Sequence, residues 1–399
     1  MNTQIFNGNR LKEALQFREM KITELALETG ISKQSLSQYA NNNSIPPYEN
    51  VIKIARVLNF PYDFFLTEDL YTVVTGNTYF RSQSASTKKA RNAQKIKLEY
   101  VSKLYYTLLN YVDFPRLNLP DTSTLQLPDN IAEYDSDEAE TEIENLAANV
   151  RKNWRLGSGP IENLQYILES NGIIVTGFKD ADSSIDAFSQ QINIKGTTLY
   201  IIALAIGSKP IERLRFDMAH ELGHILMHNW GEDNELISRD EFNAREKQAN
   251  MFASSLLLPK DDFSRSIYGY PTNIEYYRVL KKKWKVSMQA MMYRARQLDI
   301  ITGNQFQYMM RQVSKNGWRT KEPGDVPGQL RDTIFQGAID LLFDGGYLTQ
   351  QELLNDFSKN KIILSQTDLE NLMCLREGTL KPESKILSFL SIKTNQQGE

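Results

Sequence analysis

Residues 213–228 read Arg-Leu-Arg-Phe-Asp-Met-Ala-His-Glu-Leu-Gly-His-Ile-Leu-Met-His. The run is amphipathic at helical spacing and predicts a helix from about Ile211 to Asn229. It holds every histidine of the chain: His220, His224 and His228. His220 and His224 are separated by one helical turn and lie on one face, so both imidazoles can hold a single Zn²⁺. Glu221 follows the first of them, where a carboxylate can take a proton from water that the ion activates.

A catalytic zinc takes a third protein ligand and keeps one position open. His228 lies two turns from His220, roughly 12 Å along a regular helix, which puts it beyond a shared ligand set. It is a candidate substrate or oxyanion contact, with a structural role at the helix end as the alternative. The one cysteine, Cys374, is remote in sequence and reads as a buried structural thiol. A carboxylate from the next predicted helix, about Glu241 to Leu257, is therefore expected. Glu246 is the preferred candidate, because Ala249, Phe252 and Ala253 would pack its helix; Glu235, Asp240 and Glu241 compete with it. Asn250, one turn on, could accept the outer N–H of a ligating histidine.

Upstream, Ile173–Thr176, Asp186–Ile194 and Thr198–Leu204 read as strands. Asp186 and Ser189 on the second could line a substrate groove, where an edge strand would pair with an extended peptide. Pro160 is placed to start a helix over Ile161–Glu169. Further toward the N-terminus, helices are expected over about Asp137–Trp154 and Lys88–Val112.

The first seventy residues read as short helices. Thr23 is expected to cap one that ends at Gly30, Ser32 caps the next, and Pro47 opens a fourth. Ala26 and Gly30 supply the small residue and the turn glycine that a helix-turn-helix needs, and Leu25, Ile31, Leu36 and Tyr39 fill its core. This stretch, over roughly residues 8–66, resembles the Cro/CI-type (XRE family) helix-turn-helix domains. By that resemblance Ser32–Tyr39 is the recognition helix, with Ser32, Lys33, Gln34, Ser35 and Gln38 as DNA-contacting residues. The domain is not itself basic. Seven Lys/Arg and one acidic residue fall between 81 and 103, a flank expected to supply phosphate contacts, and residues 121–150 then hold nine Asp/Glu and no Lys or Arg.

The middle of the chain carries a second resemblance. Ile185-Asp-Ala-Phe-Ser189, Arg215 to His224, His228, Glu246-x-x-Ala-Asn250-x-Phe-Ala253 and Leu257-Leu-Pro259 look like the ImmA/IrrE family of metallopeptidases over about residues 140–300. The resemblance implies a gluzincin-like centre with two histidines and a glutamate on zinc, and an activity that cleaves repressors. Gln248 departs from it, since many relatives carry a second glutamate there.

At 399 residues, 41% hydrophobic and net charge −3, the chain reads as several globular units. No apolar run approaches the ~20 residues of a membrane span, and no signal peptide is visible, so a cytoplasmic protein is expected. The expected fold is mainly α with an α+β middle domain. A helix-turn-helix bundle over 1–70 precedes a basic helical connector and acidic linker over 71–135. A zincin-like domain with a small sheet follows over 136–300, then a helical C-terminal region over 301–399. The function expected is a homodimeric, operator-binding regulator holding one zinc per chain, whose peptidase centre cleaves a repressor, a partner or itself. The rival is a repressor or toxin-paired antitoxin whose zincin fold only senses or binds. Lys281-Lys-Lys-Trp-Lys285 reads as a solvated amphipathic helix with Trp284 in the core, rather than a nucleic-acid patch.

Overall fold

The computed structural model describes residues 6–68, 73–80, 88–123, 125, 127, 136–178, 186–207, 209–228 and 237–382. Arg81, Ile185, Glu235 and the acidic residues between 128 and 135 lie outside them. The chain is mainly helical with one small mixed sheet in its middle, as the patterning predicts.

Helices α1 (Gly8–Phe17), α2 (Ile22–Thr29), α3 (Lys33–Ala40) and α4 (Tyr48–Leu58) form the N-terminal bundle. Gly30 ends α2 at φ 70°, a left-handed position that permits the tight turn into α3. Ser32 caps α3 by accepting from the Ser35 N–H at 3.1 Å. Thr23 is not the cap of α2. The helix starts at Ile22, and the Glu24 carboxylate instead accepts the Lys21 N–H at 2.6 Å. Leu25, Ile31, Leu36 and Tyr39 are buried in the bundle core.

Next come strand β1 (Val73–Phe80) and the long helix α5 (Lys88–Leu108). No strand is expected from the sequence at 73–80. Helix α5 is shorter than expected, and its basic residues lie on a helix with a buried apolar stripe. Lys103 is buried, Lys89, Arg91, Lys95 and Lys97 are half-buried, and Lys97 Nζ sits 5.8 Å from the Phe17 ring centroid. One face of the helix packs inward, because its apolar stripe, including Leu98, Val101 and Leu104, is core.

Helix α6 (Asp137–Asn153) and α7 (Leu164–Ser170) precede β2 (Ile173–Phe178), β3 (Ala187–Ile194) and β4 (Thr197–Ala205). Helix α7 begins later than Pro160 implies, since Asn163 takes the cap by accepting the Tyr166 N–H. The sheet order is β1-β3-β4-β2, antiparallel except for the β2/β4 pair. Its two faces serve two cores. Phe188, Ile192, Ile201 and Ala203 face a core shared with the N-terminal bundle, α5 and the C-terminal helices α14 (Ile334–Asp344), α15 (Gln350–Lys359) and α16 (Gln366–Leu372). Ala187, Ile202, Leu204 and Val175 face the other, built with α6 and with helices α8 (Ile211–Met227), α9 (Arg239–Leu257), α10 (Lys260–Ile267), α11 (Ile274–Trp284), α12 (Met288–Gln297) and α13 (Gly303–Lys315).

Trp284 is buried, while Lys281 is buried against Glu322 and Asp325, so the lysine run is not one basic surface. Cys374 is half-buried, and its Sγ accepts the Gly177 N–H at 3.0 Å.

One ion pair ties the N-terminal bundle to the C-terminal region. Arg18 donates to both carboxylate oxygens of Asp368 at 2.7 and 2.5 Å while also donating to the Leu58 and Asn59 carbonyls. Both side chains are mostly buried, and the bidentate form suits guanidinium. Asp368→Ala is expected to destabilise the chain by about 2 kcal/mol. Amide exchange should quicken at the α1–α16 contact before it does at α8; uniform quickening would contradict the local role.

Candidate metal centre and recognition helix

The α8 helix runs under β3 and β4 with nearly every residue from Leu214 to Leu226 buried. Helix α9 lies close against it because position 223 is glycine. A Cβ there would come within 3.1 Å of Phe252 Cδ1 and 3.3 Å of Ala249 Cα. This close approach brings Glu246, one turn before Ala249, to the two histidines. His220 Nε2 and His224 Nε2 are 3.0 Å apart. Glu246 Oε2 is 3.4 Å from the first and Oε1 3.2 Å from the second. Among the described residues these three form a group whose ligand atoms all lie within 4.8 Å. Tetrahedral zinc with bonds of about 2.0–2.1 Å needs donor atoms roughly 3.3 Å apart, so the trio fits that ion. Burial raises the Glu246 pKa, but its hydrogen bonds to His220 and His224 outweigh this and hold it below the ordinary carboxylate range.

The outer nitrogens are also placed. His220 Nδ1 lies 3.1 Å from Asn250 Oδ1, which can accept its proton. His224 Nδ1 is 2.8 Å from His228 Nδ1, and His228 Nε2 is 3.2 Å from Gln248 Oε1. Helix α8 ends at Met227, and His228 turns out in an extended conformation that folds its ring back against His224. Burial, and then the neighbouring His224, push the His228 pKa well below its usual value. With a metal on Nε2 of His224, His224 Nδ1–H would donate to His228, and His228 Nε2–H would donate to Gln248. Both ring nitrogens of His228 are thus engaged by protein groups. Gln248, noted in the sequence only for not being a glutamate, is a member of the site. His228→Ala should leave about one zinc per chain at saturation and weaken zinc affinity by roughly 10–100-fold. Titration against a competing chelator would show it, and unchanged affinity would mean the ring does not support His224.

Glu221 is fully buried, and its Oε2 accepts a 2.6 Å hydrogen bond from Ser189 Oγ on β3. Ser189 is therefore turned to the carboxylate beside the two histidines rather than to an open groove wall. Asp186 pairs instead with Lys209, 3.0 Å away, which also holds Asp217 of α8 at 2.8 Å. Asp217 precedes His220 by three residues on the same face, a spacing visible in the sequence but not used there. These three residues and Asn250 line one cleft of about 850 Å³. Of the competing carboxylates, Glu241 is bonded to Arg245 on its own helix and Asp240 is exposed, both apart from the histidines.

At the other end of the molecule, Ser32, Lys33, Gln34 and Gln38 are exposed on α3, and Ser35 is half-buried with its hydroxyl 2.9 Å from that of Ser32.

Residues 8–72 match the family model described as a helix-turn-helix domain, and residues 170–296 match that of the IrrE N-terminal-like domain of peptidase M78. The chain joins a helix-turn-helix domain to an IrrE-like, metallopeptidase-like domain. Comparison with curated proteins returns no match. The IrrE-like match takes in β2, β3, β4, α8 and α9, and therefore every residue of the His-His-Glu group. The helix-turn-helix match supports DNA binding by the N-terminal domain. No described helix is long and apolar enough to cross a membrane.

Proposed function

We propose that this protein is an operator-binding transcriptional regulator whose IrrE-like domain is a zinc endopeptidase, cleaving a repressor, another partner or the chain itself to switch expression. The convergence of His220, His224 and Glu246 beside the buried Glu221 carries the reading. Zinc bound there would polarise a peptide carbonyl and make water acidic enough to react near neutral pH. His220, His224 and Glu246 would hold it, with Asn250 and the His228–Gln248 pair fixing both rings. Glu221 is held by Ser189 and takes the proton of the attacking water, then returns it to the leaving amine. Exclusion of bulk water from this buried site strengthens each of these interactions.

For DNA, the exposed face of α3 enters the major groove, and the protein acts as a homodimer because one short helix reads too few base pairs to specify an operator. Gln34→Ala should relax sequence preference while lowering non-specific affinity little. Competition between operator and random DNA at fixed salt measures this, and an equal loss on both would remove Gln34 from base reading.

The reading as a whole is tested by incubating the zinc-loaded full chain with cell extract, with and without a chelator. Chelator-sensitive appearance of new protein termini is expected. The rival, a repressor or antitoxin whose zincin fold is a sensor, draws support from the burial of both histidines and Glu221, and it requires zinc content with no new termini.

A further inference from the structure

The sheet carries one strand more than the IrrE-like match accounts for. Strand β1 begins at Val73, directly after the helix-turn-helix match ends at residue 72, and lies far outside 170–296. It does not join the sheet beside β2 but on the free side of β3, antiparallel. That side matters because β3 is the strand that runs over the proposed general base, with Ser189 reaching Glu221. The ladder sets Thr78 opposite Gln190, Tyr79 opposite Ser189 and Phe80 opposite Phe188. The β1 backbone therefore passes one strand spacing, about 4.8 Å, from the position that touches Glu221. A peptidase aligns an extended substrate by pairing its backbone with a strand edge next to the reacting groups. Here β1 already takes the hydrogen-bonding positions of that edge.

The pairing is irregular. The register breaks between Thr75 and Thr78, where Gly76-Asn77 interrupts the ladder, so the stretch over the base is a three-residue pairing, 78–80, cut off from 73–75. Bulges end pairing locally, and glycine weakens a strand.

We propose that β1 is an autoinhibitory strand: it occupies the substrate-binding edge of β3, and an extended peptide binds there only after residues 78–80 leave. This rests on the peptidase reading above. It places the control of that centre in the segment that joins it to the DNA-binding bundle.

The test uses the full zinc-loaded chain carrying Cys374→Ser, Thr78→Cys and Gln190→Cys. The two new cysteines face each other across the ladder, so oxidation locks β1 onto β3 and reduction frees it within one folded protein. The probe is a fluorescein-labelled peptide of sequence Val73–Phe80, read by anisotropy, with its hydrolysis followed by mass spectrometry. Binding should be at least tenfold tighter in the reduced form than in the oxidised form. A second variant, Thr78→Pro with Tyr79→Pro, removes whichever of these adjacent N–H groups faces β3. It should bind the peptide at least tenfold more tightly than the unsubstituted chain. Equal binding in both redox states, or no binding to any form, overturns the proposal. Redox-dependent binding without hydrolysis would leave β1 as the occupant and remove only the peptidase reading.

Discussion

Glu246→Ala should cut the zinc content of the purified protein from about one ion per chain to a small fraction of that. Two imidazoles one helical turn apart remain, but they leave the ion with half of a four-coordinate shell open and no anionic ligand. The loss should be specific to this carboxylate. Glu241→Ala removes an i,i+4 partner of Arg245, and Asp240→Ala an exposed side chain, so neither should change zinc content. The fold should survive in all three, because Glu246 packs no core of its own and Ala249, Phe252 and Ala253 anchor α9. Metal analysis after gel filtration, with circular dichroism on the same samples, reads both properties. Full zinc occupancy in the Glu246 variant would sink the ligand set. Zinc should also leave the wild-type chain as pH falls, because His220 and His224 must be neutral to bind it.

The centre was largely legible in the sequence because its geometry is local. An i,i+4 pair brings two imidazoles together whatever the rest of the chain does, and the apolar positions 249, 252 and 253 point Glu246 and Asn250 to the same side of α9. Ser32 and Gly30 were legible for a similar reason, since caps and left-handed turns are decided by one or two residues. The misses are tertiary. Thr23 lost the cap of α2 because Glu24 could reach back to the Lys21 N–H. The basic residues of α5 read as a flank for phosphate contacts. What the sequence did not reveal is that this helix also packs against α1 and the sheet, with long lysine stems able to lie along apolar surface. Strand β1 was invisible because Gly76-Asn77 reads as a turn between two short apolar runs; only pairing with the distant β3 makes it a strand. Gln248 and His228 were underread because their roles depend on the helix ending at Met227, which lets the last histidine fold back.

Glu221→Gln is the substitution that separates chemistry from architecture. Glutamine has nearly the shape of glutamate, and its side-chain oxygen can still accept from Ser189 Oγ, so β3 and α8 should keep their contact. The amide, however, has no basic oxygen to receive the proton of the attacking water. Loss of a general base typically costs 10²–10⁴-fold in rate, and peptide cleavage should fall by about that much. Zinc content should stay at about one per chain, since Glu221 is not among the three ligands of the proposed centre. Operator affinity should also be unchanged, because α3 and its exposed residues lie in a different bundle from α8. In cells the variant should then occupy its operator normally yet fail to switch a promoter reporter after the inducing stress, with no cleaved product on immunoblots. Switching identical to wild type, with no cleaved product in either strain, would remove the peptidase claim and leave a zinc-binding sensor on a DNA-binding repressor. The two outcomes differ although the folded, metal-loaded protein is the same, so the result depends on one proton acceptor and on nothing else in the fold.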